Sequence, residues 1–245
     1  MTQPEPVQVP KAWRTVLQGA LSAISPGVLA GFVSGALVGG LGGRLAMFVL
    51  RLTSSDSLHG MQTDDDFTIG SLTGATLFLI AATAFLGILG GLLYTGVREW
   101  LPKPWRASLF GIFGAVVGGA LVIRPEGIDF TALQPLSLAV ALFIALPGVY
   151  GVIVSVLTER LIGSPSFTAS RWRWVSLLLL LPLLATGPLG VGLLLLCGLI
   201  IAANRSDRVT RLWCLPETVW AGRTAFGAVL TASSVFLALD ISKVL

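Results

Sequence analysis

The 245-residue chain is too apolar, and carries too few charges, to fold as a water-soluble domain. Hydrophobic residues make up 54% of it and charged residues 11%, whereas a soluble domain has about 45–50% and about 25%. The net charge is +4, but the basic residues lie near the ends of predicted helices, which indicates membrane orientation and no nucleic-acid partner. The sequence therefore predicts an all-α fold: a polytopic transmembrane helical bundle whose surroundings are the lipid bilayer.

The first 25 residues precede the predicted membrane domain. Residues 1–10 are rich in Pro and polar side chains, which is typical of a disordered tail. Residues 11–25 carry apolar side chains at helical spacing with Lys11 and Arg14 opposite, and they predict an amphipathic helix at the cytoplasmic surface that ends at Ser25-Pro26. We expect residues 26–245 to form a single transmembrane domain.

Seven apolar stretches are candidates for membrane spans. They lie at about 27–52, 69–97, 105–123, 133–158, 173–186, 188–203 and 222–241. The fifth and sixth are separated only by Thr186-Gly187-Pro188, so they form either a hairpin or one long kinked helix. The hairpin places the Arg-rich loops on one side of the membrane, and the positive-inside rule then predicts seven spans with a cytoplasmic N-terminus.

Glycine recurs every four residues through the first predicted span, at Gly27, Gly31, Gly35, Gly39 and Gly43. In lipid, a helix face without side chains lets a neighbouring helix approach closely and gain van der Waals contact. We therefore expect this face to lie in a helix–helix interface, and packing within the bundle is favoured over a homodimer.

An internal repeat is indicated by two glycine-rich segments, GALVGGLGGR at 35–44 and GAVVGGALVIR at 114–124. Each is followed by Asp-Phe-Thr, a long apolar stretch, and a pair of oppositely charged residues. The order of these features predicts two tandem helical hairpins, 27–99 and 105–160. Both start on the cytoplasmic side, so the repeat is parallel, with its axis along the membrane normal.

The candidate binding residues lie around the predicted outer ends of these hairpins. Arg44 is about 12 Å below the end of its helix, where a guanidinium is costly unless it snorkels, faces a wet cavity or meets an anion. We predict that a carboxylate of the outer loops holds it, Asp64 or Asp65 first and Asp129 second, although Asp66 and Asp129 also suit helix N-caps. The full set of candidates is Arg44, His59, Asp64, Asp65, Asp66, Arg124, Glu126 and Asp129.

Residues 35–160 resemble a group of small polytopic membrane proteins from actinobacteria. The shared pattern is GRxxMxxLxxTS, then TDDxF, then IGxxTxxGT, which here runs from Gly43-Arg44 through Thr63-Asp64-Asp65 to Ile69-Gly70. The chain departs from the pattern at Asp66, where the group often carries Gly. The resemblance implies a bacterial origin and supplies no activity, cofactor or catalytic residue.

The sequence contains none of the common catalytic motifs that we sought. GxSxG, HExxH and a P-loop are absent, so an enzyme and a nucleotide cofactor are not favoured, and the spacing of Asp56, His59 and Asp64 does not match an EF-hand. No cofactor or metal is predicted. The favoured function is a multi-pass protein of a bacterial inner membrane that binds or moves a small solute or ion through an outward-facing polar cavity. The alternatives are a structural or assembly protein that docks a membrane partner through its acidic outer loop, and then a membrane-embedded enzyme. A homo-oligomer stays open as a further partner.

Overall fold

The structure, a computed structural model, describes residues 12–53, 74–123, 135–164, 170–184, 187–205 and 211–244. Within these ranges the chain is helical apart from short turns, and no strand occurs. Five of the described helices are long and apolar enough to cross a membrane. The prediction of an all-α fold is confirmed, and the five apolar helices are compatible with a membrane protein, whereas the count of seven spans stays a prediction.

The first hairpin is built from one continuous helical rod and a returning helix. The rod consists of α1 (Ala12–Ser34), a π-helix (Gly35–Gly42) and α2 (Gly43–Thr53), and the returning helix is α3 (Gly74–Val97). The predicted break at Ser25-Pro26 is wrong, because α1 continues through Pro26. The Ser25 hydroxyl donates to the carbonyl of Leu21, one turn earlier in the same helix. This bond adds to the backbone hydrogen bonds of the turn before Pro26.

The second hairpin repeats this plan. After a short 3₁₀ turn (Lys103–Trp105), α4 (Arg106–Phe113), a second π-helix (Gly114–Gly118) and α5 (Gly119–Val122) form the outgoing helix, and α6 (Leu136–Ile162) returns. Tyr150 of α6 joins the two hairpins, since its hydroxyl donates to the carbonyl of Gly87 and its ring lies against Gly90.

Three further helices complete the described fold: α7 (Ser170–Leu184), α8 (Pro188–Arg205) and α9 (Pro216–Val244). Between α7 and α8, Gly187 has a φ of 64°, a conformation that glycine adopts without steric cost. Leu180 and Cys197 lie in the same apolar cluster with Ile24 and Ile88, so the chain reverses direction at Gly187. The hairpin interpretation of this segment is therefore favoured over one kinked helix.

The glycines of the first helix pack against α3, which confirms that this face lies inside the bundle. A Cβ atom on Gly31 would run into the carbonyl of Gly87, and one on Gly27 would run into Thr95 and Gly91. The prediction is wrong only for Gly43, which has no neighbour within 4 Å. Gly43 is the first residue of α2, beyond the π-helix, in which Gly39 and Gly40 still pack on Thr83 and Ile80 of α3.

Candidate functional site

A network of charged side chains joins the two hairpins at the end of the bundle where α3 and α6 finish. It consists of Tyr94 of α3, Arg98 and Glu99 of the turn that follows α3, Arg106 at the start of α4, and Glu159 near the end of α6. We call this group the ionic network. It connects three separate helices, because Arg98 and Glu159 are 61 residues apart and Arg106 and Glu159 are 53 apart.

Glu159 is the centre of the ionic network. Its Oε1 atom accepts hydrogen bonds from the Tyr94 hydroxyl at 2.8 Å, from Arg98 Nε at 2.9 Å and from Arg106 Nη1 at 3.1 Å, and its Oε2 atom accepts one from Arg98 Nη2 at 3.1 Å. The contact with Arg98 is therefore bidentate, the geometry in which a guanidinium and a carboxylate bind most strongly.

Glu99 completes the network at its most exposed edge. Its two carboxylate oxygens lie 3.2 Å from Arg98 Nη1 and 3.2 Å from Arg106 Nη2. Each guanidinium thus contacts both carboxylates, and the two positive and two negative charges balance. Arg106 donates in addition to the carbonyl of Leu101 at 3.3 Å, so its buried guanidinium, with only 8% of the side chain exposed, has acceptors in three directions.

Apolar residues shield the membrane side of the network. The ring of Tyr94 is fully buried and meets Phe110 edge-on at 5.1 Å, within a cluster that also contains Leu101 and Val154. Burial by itself would lower the pKa of Arg98, but the hydrogen bonds and negative charge of Glu159 outweigh it and hold that pKa above its usual value. Arg98 therefore stays charged throughout the physiological range.

The arrangement of these charges suits a structural role. Arginine does not lose its proton at any pH that a cell experiences, and the carboxylate of Glu159 accepts four hydrogen bonds from three residues. The network contains no activated nucleophile and no side chain positioned as a general acid or base. It is suited to holding the two hairpins together at one end of the bundle.

Arg44 lies towards the opposite end. Gly40, one turn before it, packs on Ile80 of α3, which places Arg44 near the first described turn of that helix, about 30 Å along α3 from Arg98. Its side chain is half-buried. The other candidates from the sequence (His59, Asp64, Asp65, Asp66, Arg124, Glu126 and Asp129) lie outside the described residues, so the pairing of Arg44 with an outer carboxylate stays a prediction.

Sequence reasoning missed the ionic network as a site. It assigned Arg98, Arg106 and the Glu159-Arg160 pair to membrane topology and to the repeat. A usable signal was present, because Tyr94 precedes Arg98 by one helical turn and both hairpins finish with an acidic and a basic residue. The sequence did not show that these two endings meet.

Comparison with known proteins does not identify a family. No protein-family model matches the chain, and no curated protein or solved structure matches it. The resemblance of residues 35–160 to actinobacterial membrane proteins therefore stays a prediction, and the functional argument rests on the geometry of the bundle.

Proposed function

We propose that the protein is a multi-pass protein of a bacterial inner membrane that binds, and moves, a small solute or ion from a polar cavity open to the outside. The observation that carries this proposal is the ionic network. Because Glu159 ties Arg98 and Arg106 together, the two hairpins are closed at that end of the bundle. A cavity between them can then open only at the other end, where Arg44 lies.

Charge supports the orientation. The turn between the hairpins, which lies at the network end, contains Lys103 and leads into Arg106, and α6 finishes with Arg160. An excess of Lys and Arg in short loops is typical of the cytoplasmic side. The network is accordingly an inner seal, and Arg44 faces the outside.

Two features favour the parallel repeat on which this mechanism depends. The glycine-rich segments that predicted it are both π-helical, at Gly35–Gly42 and Gly114–Gly118, and π-helical turns are rare and concentrate at functional sites. Gly87 and Gly148 occupy equivalent places, because each packs on the outgoing helix of its own hairpin. Arg98 and Glu159 are 61 residues apart, the same separation as these two glycines. In the proposed repeat, the bidentate ion pair thus joins equivalent positions.

Thr83 and Ser155, two polar residues within α3 and α6, do not offer a hydrogen-bond donor to a solute. Their hydroxyls donate to the carbonyls of Leu79 and Gly151 in their own helices. Hydroxyls that bond to the preceding turn have no donor left for a ligand. The proposal therefore places the binding site at the outer end, around Arg44 and the two outer loops, instead of at mid-depth.

The second candidate function, a structural or assembly protein, is favoured by helix α9. This helix contacts the bundle through one narrow face, where Gly222 lies under Trp100 and Phe226 stacks on Phe113 at 4.5 Å. Its other faces are exposed and apolar, for example at Val235 and Phe236. Lipid covers such a face equally well, so we rank this function second.

Mass spectrometry of the purified protein tests the proposal. The wild type and Arg51→Ala, a matched control on the same helix, should release the same small molecule or ion when they are denatured after purification in mild detergent. Arg44→Ala should release much less of it. Release of no small molecule, together with a stoichiometric partner protein, would reject the solute hypothesis in favour of assembly.

A further inference from the structure

Tryptophan is distributed unevenly along the chain. All seven Trp residues lie in the N-terminal helix or in the segments that connect α3 with α4, α6 with α7 and α8 with α9, or in the helical turns next to those connections. None lies in the connections of α2 with α3, α5 with α6 or α7 with α8. Trp is enriched where a protein crosses the boundary between hydrocarbon and headgroups, so the network end of the bundle carries an interfacial belt.

Within this belt, Trp100 forms a fixed platform between the hairpins and α9. Its ring stacks on Trp213 with centroids 4.9 Å apart, and it also packs on Gly222, where a Cβ atom would collide with the indole. Trp213 is itself held, because its Nε1 atom donates to the carbonyl of Gly96 at 3.2 Å. These contacts fix the position of the backbone carbonyl of Trp100.

That carbonyl positions Arg223. The Nε atom of Arg223 donates to it at 2.8 Å, and the guanidinium lies 5.7 Å from the ring centroid of Trp220. Among the described residues no carboxylate is within salt-bridge distance of Arg223, and its two Nη groups have no acceptor. An exposed guanidinium is thus held rigidly at the headgroup level with its outward-facing donors unused.

We propose that Arg223, with Trp220 and the Trp100 platform, binds the phosphate of an anionic phospholipid in the adjoining leaflet. Two Nη donors match two oxygens of one phosphate in a bidentate contact. Trp220, which is 64% exposed and lies beside the guanidinium, suits the glycerol and upper acyl region of the same lipid. Exposed Lys103 lies three residues from Trp100 in the chain and adds positive charge to this end of the bundle. This charge favours an anionic headgroup over a zwitterionic one, because the ammonium of a zwitterionic headgroup is repelled by it.

Quenching by brominated lipids tests this site directly. Trp13, Trp172 and Trp174 are replaced by Phe so that the remaining four Trp report the corner around Arg223, and the protein is reconstituted with brominated phosphatidylglycerol or brominated phosphatidylcholine. Quenching should show a preference for phosphatidylglycerol. Arg223→Gln should reduce that preference about fivefold, which is the contribution of one cation at an anionic surface, and Arg223→Lys should restore part of it.

The control lies on the same helix. Lys243, at the other end of α9, is 65% exposed and contacts Asp240 at 3.4 Å, so Lys243→Gln removes an equal charge without touching the site and should leave the preference unchanged. An unchanged preference in Arg223→Gln, or an equal loss in Lys243→Gln, would overturn the proposal. Inorganic phosphate should not stabilise the lipid-free protein more than chloride at the same ionic strength. If it did so in the wild type and not in Arg223→Gln, the site would bind a free anion instead of a lipid.

Discussion

Arg98 and Glu159 face each other across the two hairpins in a bidentate ion pair, with Nε–Oε1 and Nη2–Oε2 distances of 2.9 and 3.1 Å. The pair lies at the rim of the bundle, where 21% of the arginine side chain and 34% of the glutamate side chain are exposed. Removing one partner of such a pair costs more than losing the contact, because the remaining charge stays partly desolvated. The ion pair therefore stabilises the contact between the two hairpins at this end of the bundle.

Glu159→Gln should destabilise the protein more than Glu99→Gln does. The first change leaves the guanidinium groups of Arg98 and Arg106 without their shared carboxylate, whereas Glu99 is the more exposed acid at 41%. We expect a loss of about 1–3 kcal/mol for Glu159→Gln, between the values for exposed and buried pairs, and less than about 1 kcal/mol for Glu99→Gln. Thermal unfolding in detergent measures both, and equal losses would show that Glu159 is not the centre of the network.

Tyr94→Phe should destabilise the protein by about 1.5–3 kcal/mol, the usual range for a hydrogen bond to a charged group. The ring and its contact with Phe110 remain, so only the bond from the hydroxyl to Glu159 is lost. In a Glu159→Gln background the same change should cost clearly less, because the charged acceptor is already gone. A full cost in that background would mean that the hydroxyl acts through another group.

Gly31→Ala should disrupt the first hairpin, whereas Gly43→Ala on the same rod should not. A Cβ atom on Gly31 meets the backbone of Gly87, which cannot move without separating α1 from α3, but a Cβ atom on Gly43 meets nothing within 4 Å. We expect a lower unfolding temperature for Gly31→Ala and an unchanged or higher one for Gly43→Ala, because Ala favours the helix. Similar temperatures for the two variants would place the first helix away from α3.

These glycines show how far the sequence could predict the fold. Four-residue spacing identified the interface with α3 and failed only at Gly43, which lies beyond the π-helix, a local change of helical period that the spacing does not reveal. The predicted helix break at Pro26 was wrong because α1 continues through this residue. Membrane helices tolerate proline where neighbouring helices and Ser or Thr side chains satisfy the freed backbone groups. The ionic network could not be predicted, because its members are adjacent only after the hairpins pack.

The turn at Gly187 predicts on which side of the membrane the segment after α8 lies. If α7 and α8 both cross the membrane, the segment after α8 returns to the cytoplasmic side. In a variant with Cys197 and Cys214 replaced by Ala, Asp207→Cys should react with a membrane-impermeant maleimide only after the cells are permeabilised. Labelling in intact cells would mean that α7 and α8 do not form a transmembrane hairpin, and the proposed seven-span count would be wrong.

The most direct test of the proposed function is the accessibility of Arg44. In the same cysteine-free background, single cysteines are placed at Arg44, at its exposed apolar neighbour Leu45 and at Lys103 near the ionic network, and intact cells are treated with the impermeant maleimide. If the hairpins are sealed at the network and open to the outside, Arg44→Cys reacts, Leu45→Cys is protected by lipid, and Lys103→Cys reacts only after permeabilisation. Labelling of Lys103→Cys in intact cells, with Arg44→Cys protected, would contradict the account.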